Sequence, residues 1–427
     1  MPPALDACPG VLILHPARDG LVARIRLPGG YAGAVRWRDL ARLSATFGDG
    51  AVDLTARGNV QLRGLRAADA DALAAGAFAA GLLPSAEHDR ARNLTASPLS
   101  GLGGRPALRG LAAALDAALL AAPELAALPG RFLFALDDGT GGASLASSDL
   151  GLRSAGGRPS AGAISDGPPE GGFDLFVAGR QAGVRVRADE AVPAVLAAAR
   201  AALAAGVGDS VTRIAALPGG GQSVAAALGG TLGVPAAPDT RLPLGLAPGA
   251  RSPGAAVTAG DDGRTGEPGD AGEAVVAAAR LGRLTGEQIE VIAELVAAGE
   301  VVRLGGAGRL VIPLGARPAG GLAGAGPVSG PGRAGAVGVS PAGAALARLR
   351  DAGLIVAAAD PMGDVTACSG AACDRSLADV RAAAGPVADY PRVHWAGCSR
   401  KCGCPPDAEP VVALGATRYR MPGEGAA

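Results

Sequence analysis

Lysine and asparagine are almost missing from this chain. Among 427 residues the only lysine is Lys401, the only asparagines are Asn59 and Asn93, and the only histidines are His15, His88 and His394. Beside 69 glycines and abundant alanine and arginine, this skew reflects coding bias more than function. The few places where chemically specific residues survive are therefore worth locating. Net charge is missing as well. Lys plus Arg number 39 and Asp plus Glu number 39, so no global field draws the chain to nucleic acid or to an anionic membrane. Anion binding must come from local arginines. Long apolar runs are also absent. The alanine-rich stretch from Val195 to Val207 is broken by Arg and Gly and is too short to span a bilayer. The start, Met-Pro-Pro-Ala-Leu-Asp-Ala-Cys, lacks a basic segment followed by an apolar one, so no signal peptide is expected. Six cysteines in a chain this long do not make a disulfide scaffold, and five of them fall between 368 and 404. That clustering points to a metal site in a reducing cytoplasm.

What is present starts with those cysteines. Cys368 and Cys373 are separated by four residues, and Cys398 and Cys402 by three. Thiolates in two close pairs suit zinc or an iron–sulfur cluster. Structural zinc usually shows pairs separated by two residues, so the spacings fit a cubane better than zinc. Four free thiols is the bland reading. Cys404 is a fifth thiol beside the quartet, an alternative ligand or a bystander, and Cys8 is remote in sequence.

The chain also repeats itself. Residues 50–65 align without a gap with residues 299–314, and each segment follows a helix candidate, 38–46 in the first copy and 285–298 in the second. Thr285 and Gln288 have capping-box spacing. Ala-Gly-Leu-Leu at 80–83 has a counterpart in Ala-Gly-Leu-Ile at 352–355. Each copy reads as strand, helix, hairpin, helix, an α+β unit. The expected organisation is a first half-domain over 1–88, a middle α/β domain over 89–241, a second half-domain over 242–357 and a cysteine-bearing segment over 358–427. In the middle region, strands are expected at 131–137 and 173–178 and a helix at 191–205. Gly/Pro-rich stretches at 153–172, 249–272 and 315–338 read as linkers or loops.

On a strand, residues two apart share a face. Arg57, Asn59, Gln61 and Arg63 would thus present two guanidiniums and two amides together, a multi-donor surface for carboxylates. The bland alternative is a strand with its polar face in water. Arg92 and Asn93, next to Arg90, form a second basic cluster, and Arg131 in Leu-Pro-Gly-Arg-Phe a third.

These motifs, in this order, resemble those of the sulfite and nitrite reductase superfamily. The Cys-x4-Cys and Gly-Cys-x3-Cys pairs resemble its cluster motif, although the first spacing there is usually five. Leu54 to Leu65 looks like its strand that reaches the tetrapyrrole, and Arg92-Asn93 and Leu128 to Phe132 look like its further basic motifs. Within the superfamily, Cys8-Pro9-Gly10, Arg18-Asp19-Gly20-Leu21, Arg24, Phe132 to Gly139 and His394 to Cys398 resemble the precorrin-3B synthase branch of cobalamin biosynthesis. The reductases would carry a second basic residue where this chain has Leu133.

The resemblance implies two ferredoxin-like half-domain repeats forming one pseudo-twofold domain, plus α/β sirohaem-reductase-like domains, the last carrying a four-cysteine iron–sulfur site. It also implies a 4Fe–4S cluster on Cys368, Cys373, Cys398 and Cys402, the last favoured over Cys404 by its spacing. Arg57, Asn59, Gln61, Arg63, Arg92, Asn93 and Arg131 would bind the tetrapyrrole. The implied reaction is hydroxylation of precorrin-3A at C20 with O2 and closure of a γ-lactone by the ring-A acetate. A mononuclear non-haem iron would activate O2, and its ligands are not assignable among three histidines. NADH is the formal reductant. Gly305 to Gly308 lies inside a hairpin and not in a strand–GxGxxG–helix unit, so its electrons are expected through a separate ferredoxin or reductase. The alternatives are a sirohaem-dependent sulfite or nitrite reductase, and a non-catalytic tetrapyrrole- or metal-binding relative.

Overall fold

The computed structural model describes residues 6, 8–103, 105–156, 171–239, 241–247, 273–314 and 340–424. The stretches at 249–272 and 315–338, and most of that at 153–172, lie outside the described residues.

The first part of the chain forms β1 (His15–Ala17), β2 (Gly20–Ile25), β3 (Tyr31–Ala32), α1 (Ala34–Phe47), β4 (Ala51–Leu54), β5 (Val60–Leu65) and α2 (Ala70–Ala79). The middle forms β6 (Leu94–Ala96), α3 (Arg109–Leu120), β7 (Phe134–Asp137), β8 (Leu150–Ser154), β9 (Phe173–Val177), β10 (Arg180–Val186), α4 (Ala191–Ala204) and α5 (Gln222–Ala226). The repeat returns as β11 (Gly245–Leu246), β12 (Ala274–Ala278), β13 (Arg283–Thr285), α6 (Gly286–Leu295), β14 (Val302–Leu304), β15 (Arg309–Pro313) and α7 (Pro341–Asp351). The last segment forms β16 (Val365–Ala367), α8 (Val380–Ala383), β17 (Val393–Ala396), β18 (Glu409–Ala413) and β19 (Tyr419–Arg420).

Two antiparallel sheets, ordered β1-β2-β5-β4-β13 and β11-β12-β15-β14-β3, carry the repeat. Each half lends the other its outer strand: β13 pairs with β4 through Leu284 and Val52, and β3 pairs with β14 through Tyr31 and Arg303. Helices α1 and α6, equivalent in the repeat, meet between them. Trp37 and Leu40 of α1 share one buried core with Ile289 and Ile292 of α6, Leu62 of β5 and Ile312 of β15. The two copies therefore form one domain with a pseudo-twofold relation. Helix α6 begins with the expected capping box. The Thr285 hydroxyl accepts from Gln288 N at 3.2 Å, and the Gln288 side chain accepts from Thr285 N at 3.0 Å.

The middle sheet is ordered β10-β9-β8-β7-β6, parallel from β6 to β8 and antiparallel beyond. Helix α4 turns Ala191, Val195, Ala198, Ala199 and Ala202 into its core, a helical stripe of small residues that lets the helix lie close to the strands. The strand expected at 131–137 begins only at Phe134, because Phe132 N closes a turn onto Pro129 O at 2.8 Å. Helix α1 begins at Ala34, four residues ahead of the expected 38. The last sheet runs β16-β17-β18 in parallel, with β19 antiparallel at its edge. No helix among the described residues is long and apolar enough to cross a membrane.

Candidate redox and anion-binding site

The hairpin β4–β5 places the first basic motif, but not as one strand face. Thr55 N bonds Asn59 O at 2.9 Å, so Arg57 and Asn59 stand in the turn between the strands. Gly58, at φ 68°, makes that turn possible, and a Cβ there would lie 3.3 Å from Gly30 Cα. Arg57 is at the tip, half-buried, with Nη1 donating to Arg131 O at 3.4 Å. Asn59 is buried and fully engaged. Its Oδ1 accepts from Leu27 N, and its Nδ2 donates to Asn93 Oδ1 at 2.6 Å and to Arg57 O at 3.3 Å. Asn93 donates onward to Phe132 O at 3.1 Å. The two asparagines of the chain thus form a buried lock between the hairpin turn and the Arg131 loop.

The remaining motif residues are held in other ways. Arg92 is buried in a two-pronged bond to Asp116, both prongs 2.7 Å. Arg63 is buried, clasps Asp19 through Nε and Nη2 at 2.9 Å each, and reaches Ala372 O at 2.9 Å. Gln61 lies opposite Arg24 across β2 and β5. With its amide oriented by these partners, its oxygen accepts from Arg24 Nη2 at 2.7 Å and Nε at 3.3 Å. Arg90 pairs with Asp6 at 3.1 Å. Of the seven sequence-predicted ligand residues, Asn59, Gln61, Arg63, Arg92 and Asn93 are taken up inside the protein, whereas Arg57 and Arg131 are ion-paired to no described residue.

Sequence reasoning gave Arg24 only as part of a resemblance and missed Arg26 and Arg213. Along β2 and just beyond it, Arg24 and Arg26 alternate with the core residues Ala23 and Ile25 and so point to the opposite face. Cys8 lies among them. Its Sγ accepts from Arg24 Nη1 at 2.9 Å and from Arg26 Nη2 at 3.5 Å, and donates to Gly130 O at 3.3 Å. Arg26 Nη1 is buried without a partner. Burial lowers the Arg26 pKa, and the neighbouring Arg24 charge lowers it further. Arg57 is pushed down to about 10, first by desolvation and then by the charges of Arg213, Arg24 and Arg131. Arg213 has a carboxylate, Asp149, at 2.6 Å. Among the described residues, Arg24, Arg57 and Arg131 are ion-paired to none. A 390 Å³ cavity lined by Asp6, Arg90, Leu128 and Pro129 lies behind the Arg131 loop and includes none of these three arginines, so it is not the anion-binding face.

The cysteine pairs leave the C-terminal ends of two adjacent parallel strands. Cys368 directly follows β16, and Cys398 follows β17 after one intervening residue; Cys368 N bonds Trp395 O at 3.0 Å. Backbone N–H groups of Gly397 and Gly370 approach Cys368 Sγ at 3.2 and 3.5 Å. All six cysteines are free. The Cys402 thiol is pushed up by burial and then by the charges of Cys398, Cys368 and Cys373. Burial also raises Cys404, whose Sγ lies against Pro405 O and Ala408 O at 3.5 and 3.7 Å.

Among the described residues, no three His, Cys, Asp or Glu side chains are disposed to hold a single metal ion. A tetrahedral zinc, with Zn–S about 2.3 Å, would draw its thiolates together more tightly. A cubane takes its four thiolates from further apart, and backbone N–H groups aimed at a ligand sulfur suit it. Of the histidines, His15 is exposed, His88 bonds Ala122 O at 3.1 Å, and His394 is buried with Nδ1 2.9 Å from Thr366 Oγ1 and Nε2 unpartnered. Burial lowers His394 to about 4, so it is neutral at ordinary pH.

Residues 15–77 match the nitrite/sulfite reductase ferredoxin-like half domain. Over 126 residues the chain is 35% identical to ferredoxin–nitrite reductase of Synechococcus elongatus, a stretch covering 28% of this chain and 25% of that protein. The match therefore spans a quarter of the relative's length. The NirA protein of Mycobacterium tuberculosis superposes with a TM-score of 0.60 and 19% identity, over 90% of this chain and 69% of its own. The fold is thus the NirA-like mixed α+β fold, with its ferredoxin-like half domain at the N-terminal side.

Proposed function

We propose that this protein is an oxidoreductase that seats a carboxylate-rich tetrapyrrole against Arg24, Arg57 and Arg131, beside a 4Fe–4S cluster on Cys368, Cys373, Cys398 and Cys402. The observation that carries this reading is that Arg24, Arg57 and Arg131 stand together at the hairpin turn with no carboxylate partner among the described residues, Arg57 reaching the Arg131 carbonyl. Like charges held together without carboxylates favour a polyanion that relieves them, and guanidinium forks match carboxylate geometry. The Asn59–Asn93 lock fixes the turn on the Arg131 loop, so the donors keep their spacing before a ligand arrives. Gln61 holds the Arg24 fork in place. When bound, the cluster would supply single electrons to chemistry at the neighbouring macrocycle.

The finer reading is a precorrin-3B synthase-like monooxygenase, with precorrin-3A as the macrocycle, O2 as co-substrate and a separate electron donor. Its support is Leu133. In the resemblance, the reductases have a basic residue there to deliver protons, but here the side chain is fully buried and its backbone N is fixed to Asp149 Oδ2 at 2.9 Å. The second reading is a sirohaem-dependent nitrite or sulfite reductase. The likeness to the Synechococcus ferredoxin–nitrite reductase supports it more directly than the first.

Anaerobic purification from a sirohaem-making host, with iron, sulfide and visible-spectrum analysis, tests both. Iron and sulfide without a sirohaem band, with turnover of precorrin-3A and O2, is the expected result. A sirohaem band with nitrite or sulfite turnover establishes the second reading. In the same preparations Arg57→Ala should weaken binding of a carboxylate-rich porphyrin such as uroporphyrin roughly ten- to hundred-fold, the weight of a charge-assisted hydrogen bond. Cluster absorbance should not change. Equal affinity would remove the anion site.

A further inference from the structure

The polar face of the first sheet carries a row of side chains across four strands. Register places Arg24 of β2 opposite Gln61 of β5, Gln61 opposite Asp53 of β4, and Asp53 opposite Arg283 of β13. One end of this row reaches the unpaired arginines. The other end meets the cysteine segment. Asp53, 3% exposed, accepts at Oδ1 from Arg283 Nη1 at 3.3 Å and from Arg381 Nη1 at 3.2 Å, and its Oδ2 lies 3.9 Å from Arg63 Nε.

Two of these arginines grip the first cysteine loop. Arg381 Nε donates to Cys368 O at 3.0 Å. Arg63 Nη2 donates to Ala372 O at 2.9 Å, and Nη1 approaches Ser369 Oγ at 3.4 Å. The backbone of Arg18 adds a bond to Ala372 O at 3.2 Å. The loop between Cys368 and Cys373 is therefore fastened at both ends to the ferredoxin-like sheet through guanidiniums that share one buried carboxylate.

We propose that Arg63 and Arg381, with Asp53 between them, are positioning residues of the Cys368–Cys373 loop that also set the charge felt by the cluster, and that Arg63 does not bind the tetrapyrrole. The proposal rests on the cluster assignment above. Its physical basis is that reduction adds negative charge to a cluster, so nearby cations favour the reduced state and nearby anions disfavour it. Arg63 is compensated by Asp19 and Asp53. Removing its charge leaves the network one negative charge in excess, whereas removing the Asp53 charge leaves it one positive charge in excess, since Arg63 and Arg283 keep Asp19 and Asp49 but Arg381 loses its carboxylate. The two substitutions act in opposite directions on the potential, although both weaken the same network.

The test compares holoprotein variants by redox titration of the cluster absorbance. Arg63→Gln and Arg381→Gln should shift the midpoint potential negative and Asp53→Asn should shift it positive. Arg63→Lys, which keeps the charge and loses the fork, should stay near the parent. Uroporphyrin affinity of Arg63→Gln should stay within about two-fold of the parent, unlike that of Arg57→Ala. Shifts of one sign in all variants would reduce the network to a structural role, and a loss of porphyrin affinity equal to that of Arg57→Ala would return Arg63 to the ligand site. Hydrogen exchange of residues 368–374 in cluster-free protein is a separate readout. Arg63→Gln should lose protection there, and unchanged protection overturns the positioning role. Absence of iron and sulfide from the parent protein would instead refute the cluster assignment itself, before any variant is compared.

Discussion

Single side chains divide into those used up by the fold and those left for a ligand. Arg92 is buried against Asp116, a paired charge whose partner cannot be removed cheaply, because breaking a buried pair costs about 3–5 kcal/mol. Asp137 is a different case. It ends β7 with Oδ1 accepting from Gly139 N at 2.6 Å and Gly141 N at 3.3 Å, while Oδ2 is buried without a partner. Burial, and then the charge of Asp138, raises its pKa. A carboxyl raised in the folded state contributes stability at low pH and loses it as pH rises through that value. Asp137→Asn keeps the accepting oxygen and removes the buried charge. Thermal melts should show the variant more stable than the parent at pH 8, by about 1 kcal/mol, with little difference at pH 4. An equal difference at both values would show that the carboxyl is ionised throughout. Of the proposed site, Arg57, Arg131 and the four cysteines were named from the sequence, where motif order and spacing single them out. The engagement of Arg63 and Arg92 was not, because Asp19 and Asp116 are 44 and 24 positions away and carry no mark of pairing.

At the scale of elements, local chemistry governs the starts and turns. Thr285 and Gln288 cap α6, and Gln288 Nε2 also donates to Ala352 O at 3.0 Å, tying α6 to the end of α7. Thr285→Ala should cost about 1 kcal/mol in urea melts. Gln288→Ala should cost more, since it removes the cap and the tie together; an equal loss would mean the tie contributes nothing. Both features of α6 visible in sequence, the cap and the helix, depend on residues within one turn. The strand-face reading of residues 57–63 failed for a local reason too. Gly58 at positive φ breaks the alternation, so period-two logic applies from Val60 onward and not before. A glycine between two polar residues was the signal that could have placed Arg57 and Asn59 in a turn.

For the whole molecule, the reciprocal loan of β3 and β13 makes the two copies interdependent. A chain ending at residue 239 would leave β4 with an unpaired edge and β3 without a sheet, and would open the shared core around Trp37. Produced alone, residues 6–239 should lack a cooperative thermal transition. Co-production with residues 241–427 should restore it together with cluster absorbance. A sharp transition for the shorter chain alone would show that the first half folds without its partner strand. The repeat was detectable in sequence as a gapless likeness of two hairpins, but the exchange of strands between them was not, because β3 has only two residues and β13 only three.

What depends on near neighbours is written in the chain: the cysteine spacings, the capping box, the paired hairpins and the supply of arginines. Which arginines lack a carboxylate partner among the described residues depends on the folded contacts. Charge compensation is settled by contact in space, as when Arg381 reaches Asp53 across 328 positions, and no local pattern records it. Contacts in space likewise place the Cys404 sulfur against the carbonyls of Pro405 and Ala408, which its position in the chain does not record.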